Sequence, residues 1–556
     1  MDLDLMHPEM LPATGVRCDL GNGVLPVSSP QADGASPRWV GGCNPFGTYE
    51  LVIGSAEGKG ATGGGRESVP RVRRQIGSRG LFRFLMNPAA LSMKHLPLLL
   101  ALLGPACFAR AADTPAVRPN IVILLTDDQG TLDAHCYGSA DLQTPNIDKL
   151  AATGVRFTQA YAHSVCCPAR AALLTGRHPQ RGGIVHWTQG DRHGSDLPKI
   201  NMAAEEVTLA EVLKSAGYRT ALFGKWHLGA KPGHGPLNQG FETFFGHLGG
   251  FIDNYRHHFL HSKGYHDLWE GNQEIFKPEK YYPDLMIERA LSFIGSNKIA
   301  PFFMTVAFNL PHYPEQAGER FKDAYPDLPM PRQSYARVIS TVDEHIGRIL
   351  DKLEATGLRD RTIVILMSDN GHSVETNAGI AVDDHSSGYP RGHYYLAHGG
   401  GGNTGNWIGH KGTFLEGGVR VPAIISHPAK IPQGQTRGQI VTIMDWFPTV
   451  LELCGLGREA SAPKLDGRSM IRVIADPEAA SAHEVLHFAW ADNWAVRRGD
   501  WKLIHQRGNQ AKVMNLSLHN LAEPEPEVKD HAKERPEIVK ELTILHEAWQ
   551  KDLNSK

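Results

Sequence analysis

The chain reads as an α/β protein with a mainly parallel central sheet, followed by a small antiparallel sheet with a helix packed on it. Residues 120–125 are a continuous apolar run, suited to a strand buried on both faces. From residue 119 such runs alternate with stretches that carry apolar residues at helical spacing. At least four of the runs end in polar or charged residues, and that carboxyl edge is where open α/β sheets bind ligands.

The first strand, 120–125, ends in Thr126-Asp127-Asp128. A short helix is expected over 145–152, and residues 155–157 lead towards a cysteine pair. Residues 209–216 form a helix stopped by Gly217. A strand over 219–223 ends in Gly224-Lys225-Trp226-His227-Leu228-Gly229. Residues 282–294 are a helix, and the strand 302–308 ends in Asn309-Leu310-Pro311-His312. In 335–356, Val338, Val342, Ile346, Ile349, Leu350 and Leu353 keep helical spacing up to Gly357. The strand 362–367 ends in Ser368-Asp369-Asn370-Gly371, and 421–426 is one more strand. After about residue 483 the pattern shortens. Strands are expected at 485–490, 494–498, 501–505 and 512–516, with an amphipathic helix over 534–551. A catalytic domain over 115–478 and a C-terminal subdomain over 479–556 follow.

The 556 residues suffice for one large or two unequal domains, and a net charge of -2 gives no field for nucleic acid or an anionic membrane. Residues 1–92 are rich in Gly, Pro, Arg and Ser with weak apolar periodicity, which argues against a packed core. From Met93 the layout changes to a short basic start, a Leu-rich run and Ala109-Arg110-Ala111, a signal-peptide pattern over 93–111. The first 92 residues are therefore read as a gene-start artefact or a disordered extension. The protein is expected to be exported, periplasmic or extracellular after cleavage near Ala111. The apolar run is too short for a stable membrane anchor. Of seven cysteines, Cys18 and Cys43 lie in the extension and Cys107 in the signal peptide. That leaves Cys136, Cys166, Cys167 and Cys454, too scattered for a disulfide scaffold and without zinc spacing.

The stretch Ser164-Val165-Cys166-Cys167-Pro168-Ala169-Arg170 carries the chemistry. Pro168 suits the first turn of a helix, 169–174 is strongly helix-forming, and Gly176 can end it. Cys166 is thus expected in a turn just before a helix N-terminus. There, free N–H groups and Arg170 favour an anion and lower a thiol pKa. The alternative is a buried thiol pair beside a structural arginine. Elsewhere, Asp127, Asp128, Asp369 and Asn370 offer only oxygen ligands, which suits calcium or magnesium; with no histidine among them, zinc is disfavoured.

Cys-x-Pro-x-Arg followed by Leu-x-Thr-Gly-Arg resembles the signature of the type I sulfatases. Gly-Lys-Trp-His-Leu-Gly, Leu-Pro-His and the block from Lys411 to Arg420 are similar to further blocks of that family, from Pro119 to the C-terminus. The resemblance implies an alkaline-phosphatase-like α/β/α sandwich. It also implies that Cys166 is oxidised to formylglycine by a formylglycine-generating or anaerobic sulfatase-maturating enzyme, and that Cys167 is structural. It implies a metal shell of Asp127, Asp128, Asp369, Asn370 and the modified residue 166. Lys225, Lys411 and Arg170 would hold the sulfate oxygens, and Asp369 would act as base. His312, alone or with Lys411, would protonate the leaving alcohol, and His227 would take the proton of the second hydroxyl.

The implied activity is hydrolysis of sulfate monoesters, on sulfated carbohydrate or aryl sulfate. A phosphatase or phosphodiester/phosphonate hydrolase of the same fold is the alternative, and a catalytically dead binding protein a third reading. The His-rich loop 256–266 is read as polar surface rather than a second metal site. The long insertion between Gly371 and Lys411 carries Asp383-Asp384-His385, Tyr389, Arg391, His393-Tyr394-Tyr395, the glycines 399–402 and Trp407. It is expected to shape the substrate pocket.

Overall fold

The computed structural model describes residues 118–186, 200–259, 265–376, 388–389, 396–459, 462–507 and 514–554, all within the compact unit Phe108–Lys556. The N-terminal extension, the signal peptide and, within the insertion between Gly371 and Lys411, residues 377–387 and 390–395 lie outside the described residues.

An eleven-stranded sheet forms the centre. In chain order its strands are β1 (Asn120–Asp127), β2 (Gly154–Tyr161), β3 (Arg219–Lys225) and β4 (Thr243–His247). A separate ribbon of β5 (His258–Phe259) and β6 (Tyr265–His266) follows. The sheet then continues with β7 (Trp269–Glu270), β8 (Gln273–Glu274), β9 (Phe302–Pro311), β10 (Thr362–Ser368), β11 (Arg420–Ser426), β12 (Gln435–Arg437) and β13 (Val441–Thr442). The order is β12-β2-β11-β10-β1-β9-β3-β4-β7-β8, with β13 also on β2. The middle five, β10-β1-β9-β3-β4, run parallel. Antiparallel pairs flank them on both sides.

β1 shows why the sheet is covered on both faces. All eight of its residues are buried. Ile121, Ile123 and Leu125 join one apolar core, and Val122 and Leu124 join another. Side chains alternate along a strand, so a continuous apolar run needs a partner layer on each side. The first core is closed by α2 (Cys166–Thr175), α3 (Leu209–Ser215), α7 (Trp446–Leu453) and α8 (Ile471–Ala475). The second is closed by α1 (Pro145–Ala152), α4 (Tyr282–Ser296) and α5 (Arg332–Ala355). A single turn, α6 (Glu416–Val419), precedes β11.

The C-terminal part is a four-stranded antiparallel sheet of β14 (Val485–Trp490), β15 (Asn493–Arg498), β16 (Trp501–Arg507) and β17 (Met514–Asn520). Helix α9 (Pro536–Asn554) packs on it through Leu542, Ile538 and Val539 against Val496, Leu503 and Leu518. The last strand begins at Met514 rather than residue 512, with 508–513 outside the described residues. No helix among the described residues is long and apolar enough to cross a membrane.

Candidate active site

Parallel register brings the polar strand ends together. Thr126 of β1 lies beside Ser368 of β10, so Asp127-Asp128 and Asp369-Asn370 leave the sheet side by side. Asp127 also pairs with Pro311 of β9, which puts His312 next to them, and β3 ends at Lys225 on the far side of β9. The remaining residues come from the N-terminus of α2 and from the loop before α6. That loop is tied in by two backbone bonds: Lys411 N–H donates to the His372 carbonyl at 2.9 Å and Gly412 N–H to that of Ser164 at 2.7 Å.

The charges interlock. Lys225 Nζ donates to Asp127 Oδ2 at 2.6 Å. Arg170 grips Asp369 Oδ2 through Nε at 3.0 Å and Nη2 at 2.7 Å, and Nη2 lies 3.5 Å from Asp127 Oδ2. Lys411 Nζ reaches Asp128 Oδ2 at 3.0 Å and Glu375 Oε2 at 3.3 Å. Cys166 Sγ faces Asp127 Oδ1 at 3.4 Å. His312 Nε2 lies 3.7 Å from Asp128 Oδ2. Its Nδ1 meets the Tyr313 carbonyl at 2.6 Å, an acceptor only, so Nδ1 carries the proton and Nε2 is the open end. Asn370 Nδ2 donates to Asp128 Oδ1 at 2.6 Å, while Asn370 Oδ1 is buried and has no hydrogen-bond partner among the described residues. His227 is buried, with φ 58°, and lines the cavity above this cluster.

Burial and charge set the protonation states. Burial opposes ionisation of Asp127, but Lys225, His312 and Arg170 outweigh it and hold the carboxyl well below its ordinary range. Asp128 is pushed up to about 6 by burial against the pull of Lys411. Asp369 is pushed up to about 7, by burial and then by the charge of Asp127. Burial, with Lys411, brings His312 down to about 3. Three aspartates within one dry pocket, with an unused amide oxygen among them, fit a divalent cation.

Two expectations need correction. Cys166 is the first residue of α2, with Val165 as N-cap, not a turn residue before it. Its thiol pKa is raised, not lowered: burial dominates, and Asp127 adds repulsion that Lys225 and Lys411 do not cancel. Further, the potential ligand atoms that lie within 4.8 Å of one another belong to Asp127, Asp128, Cys166 and His312, so a histidine does stand beside the oxygen donors. Cys167 is buried and directs its thiol at the His186 carbonyl.

The cavity over the cluster has a volume of about 290 Å³ and is bordered by His227, Phe251, His312, Tyr313, Glu375 and Lys411, among others. The His-rich segment is not the expected polar surface loop. His257 is fully buried, and Phe259 packs with Phe251 and Tyr313 beside the cavity. No metal-binding group occurs there among the described residues. Trp407 does not border the cavity; Arg420 stacks over its ring at 4.1 Å. Several contributors escaped the sequence reading, Phe251, Tyr313, Glu375 and Trp490 among them. Glu375 is a lone carboxylate whose link to Lys411 spans the insertion. Trp490 comes from the C-terminal sheet, and no motif marks it.

The family model described as Sulfatase matches residues 119–456. Arylsulfatase J of Mus musculus is 30% identical over 417 residues, covering 72% of this chain and 64% of its own length. The N-acetylgalactosamine-6-sulfatase of Canis lupus familiaris is 33% identical over 372 residues, covering 65% of this chain and 66% of its own. The chain thus spans about two thirds of the length of these two relatives. Among solved structures, Ps i-CgsB in complex with k-i-k-neocarrahexaose is similar at a TM-score of 0.65 and 27% identity, over 78% of this chain and 92% of that one.

Proposed function

The chain belongs to the sulfatase family, and on that premise we propose that it hydrolyses sulfate monoesters of carbohydrate. The observation that carries the reading is the cluster of Asp127, Asp128, Asp369, Arg170 and Lys225, all buried, with the partly buried Lys411, around Cys166. The substrate class is supported by the relatives, one named for N-acetylgalactosamine 6-sulfate and one solved with a neocarrahexaose.

Asp127, Asp128, Asp369 and Asn370 would hold a divalent cation, calcium by preference with magnesium as the alternative, through hard oxygen donors that include the orphaned Asn370 Oδ1. When bound, that cation supplies positive charge for the sulfate group and for an ionising hydroxyl. Formylglycine at position 166, made from cysteine by a dedicated maturation enzyme, supplies as its hydrate a nucleophile with a second hydroxyl for expelling sulfate.

The chain's own residues do the rest. Arg170, Lys225 and Lys411 orient the sulfate oxygens and stabilise charge as the ester breaks. Asp369 would take the proton of the attacking hydroxyl. His312 Nε2, unprotonated in the free enzyme, would have to take up a proton once substrate is bound before it could pass one to the leaving oxygen. The negative charge of the substrate opposes the depression that burial imposes on this imidazole. His227, on the cavity wall, would take the proton that restores the aldehyde. We further propose export after cleavage near Ala111, with 115–478 as the catalytic domain and 479–556 as the C-terminal subdomain.

The test is a pair of steady-state rates on matched aryl sulfate and aryl phosphate. Clear preference for the sulfate is expected. Preference for the phosphate would replace this reading with a phosphoryl-transfer one.

A further inference from the structure

The cavity over the catalytic cluster has a wall from the other sheet. Trp490 is the last residue of β14, at the hairpin that turns through Ala491 into β15. It borders the same cavity as His227, His312 and Lys411. The ring is held from behind by an apolar cluster of Phe414, Phe488, Leu486 and Tyr161, which seals the C-terminal sheet to the catalytic sheet. Its indole N–H is screened from water and has no acceptor among the described residues.

We infer that Trp490 is a specificity-determining residue, whose indole stacks on a pyranose ring of the substrate. This rests on the sulfatase reading and deepens it. Glu375 borders the same cavity, held by Lys411 at 3.3 Å, Ser373 at 2.9 Å and Tyr313 at 3.3 Å. A carboxylate accepts sugar hydroxyls and repels a second anion. An indole favours an uncharged ring, which presents C–H faces to the aromatic system and hydroxyls at its edge. The preferred substrate is therefore a neutral pyranose carrying one sulfate, rather than a uronate or a ring with sulfates on neighbouring carbons. A cavity of about 290 Å³ lies at the small end of ligand sites and matches one such ring.

The experiment uses the full, matured enzyme and separates the two products as inhibitors. The best substrate of a panel of monosulfated hexoses and N-acetylhexosamines is chosen; its desulfated sugar and inorganic sulfate are the probes. Trp490→Ala is expected to raise KM for the saccharide and weaken inhibition by the sugar, each by about tenfold, leaving inhibition by sulfate in place. Trp490→Phe should recover most of the stacking and guards against a misfolded alanine variant. A disulfated analogue should be a poorer substrate than its monosulfated partner. Unchanged KM and sugar inhibition in Trp490→Ala would overturn the proposal, as would equal loss of sugar and sulfate inhibition. A wild type that hydrolyses no sulfate ester overturns it together with the reading beneath it, and that result is visible before any variant is made.

Discussion

Two charge clusters share the Lys411–Arg420 block, which gives Lys411 to the candidate active site and Glu416 and Arg420 to the other, and they are built differently. In the second, Glu416 of α6 meets Lys502 of β16 and Glu527 from the chain after β17, all three buried. Lys502 Nζ donates to Glu416 Oε1 at 2.7 Å and Glu527 Oε1 at 3.1 Å. Glu416 Oε2 accepts from Tyr161 at 2.7 Å and Arg420 at 3.3 Å, and both Glu527 oxygens accept the Glu416 N–H. Every carboxylate oxygen there has a partner. In the candidate active site the cations are just as firmly held, but Asn370 Oδ1 is left over and the cluster opens onto a cavity. The same three cations face aspartates that would hold a metal and a cavity that would hold sulfate. The difference teaches that the closed cluster fixes the loop, whereas the open one has a task still to be shared between protein and ligand.

The sharpest way to break the comparison is by activity. Asp127→Ala or Asp369→Ala should abolish turnover and lower the divalent-metal content of the purified protein, measured by elemental analysis, because a lost carboxylate ligand has no substitute. Lys502→Met should keep the metal. If the aspartate variants retain it, the open cluster is not its site.

Stability should invert that order. Lys502→Met leaves Glu416 and Glu527 buried without their cation, which costs about 3–5 kcal/mol in chemical denaturation. A cost near zero would mean that the closed cluster is no anchor.

The third contrast is in pH. Glu527 is pushed up to about 7, by burial and by Glu416 against the pull of Lys502, while its unfolded value is 4.5. Between those values the native state keeps a proton that the unfolded chain has lost, so this contribution to stability falls as pH rises through the window. Glu527→Gln cannot ionise. The stability gap between wild type and variant should shrink by about 1–3 kcal/mol from pH 5 to pH 8. A gap that widens would reverse the sign.

The smallest effect concerns coupling in the open cluster. With Lys225 and Lys411 bound to aspartates, inorganic sulfate should bind the metal-free protein weakly. Adding calcium should tighten it about tenfold, roughly 1.4 kcal/mol, read by calorimetry. Equal affinity with and without the metal would show that the cations already face the substrate.

Much of this was legible in the chain. The apolar runs 120–125, 302–308 and 362–367 became β1, β9 and β10 because a strand buried on both faces has no polar position to interrupt it. Their polar ends converge because the strands are parallel and in register. Helices were placed well where apolar spacing was long, as in α5, which starts at Arg332 rather than residue 335. The antiparallel flanks were less legible: β7 and β8 are only two residues each, too short for a period to show. The state of Cys166 was misjudged because a helix N-terminus is visible in sequence but the burial of the thiol beside Asp127 is not. Trp490 was missed because what makes it part of the cavity is the docking of one sheet on another, and no local spacing encodes that.

The reading stands or falls on position 166. Peptide mass spectrometry of enzyme matured with a competent maturation system should find the peptide containing Cys166 and Cys167 lighter by the replacement of one CH2SH group by CHO, with fragment ions placing the aldehyde at 166. An unmodified Cys166 in fully active enzyme, or the aldehyde at Cys167, would contradict it.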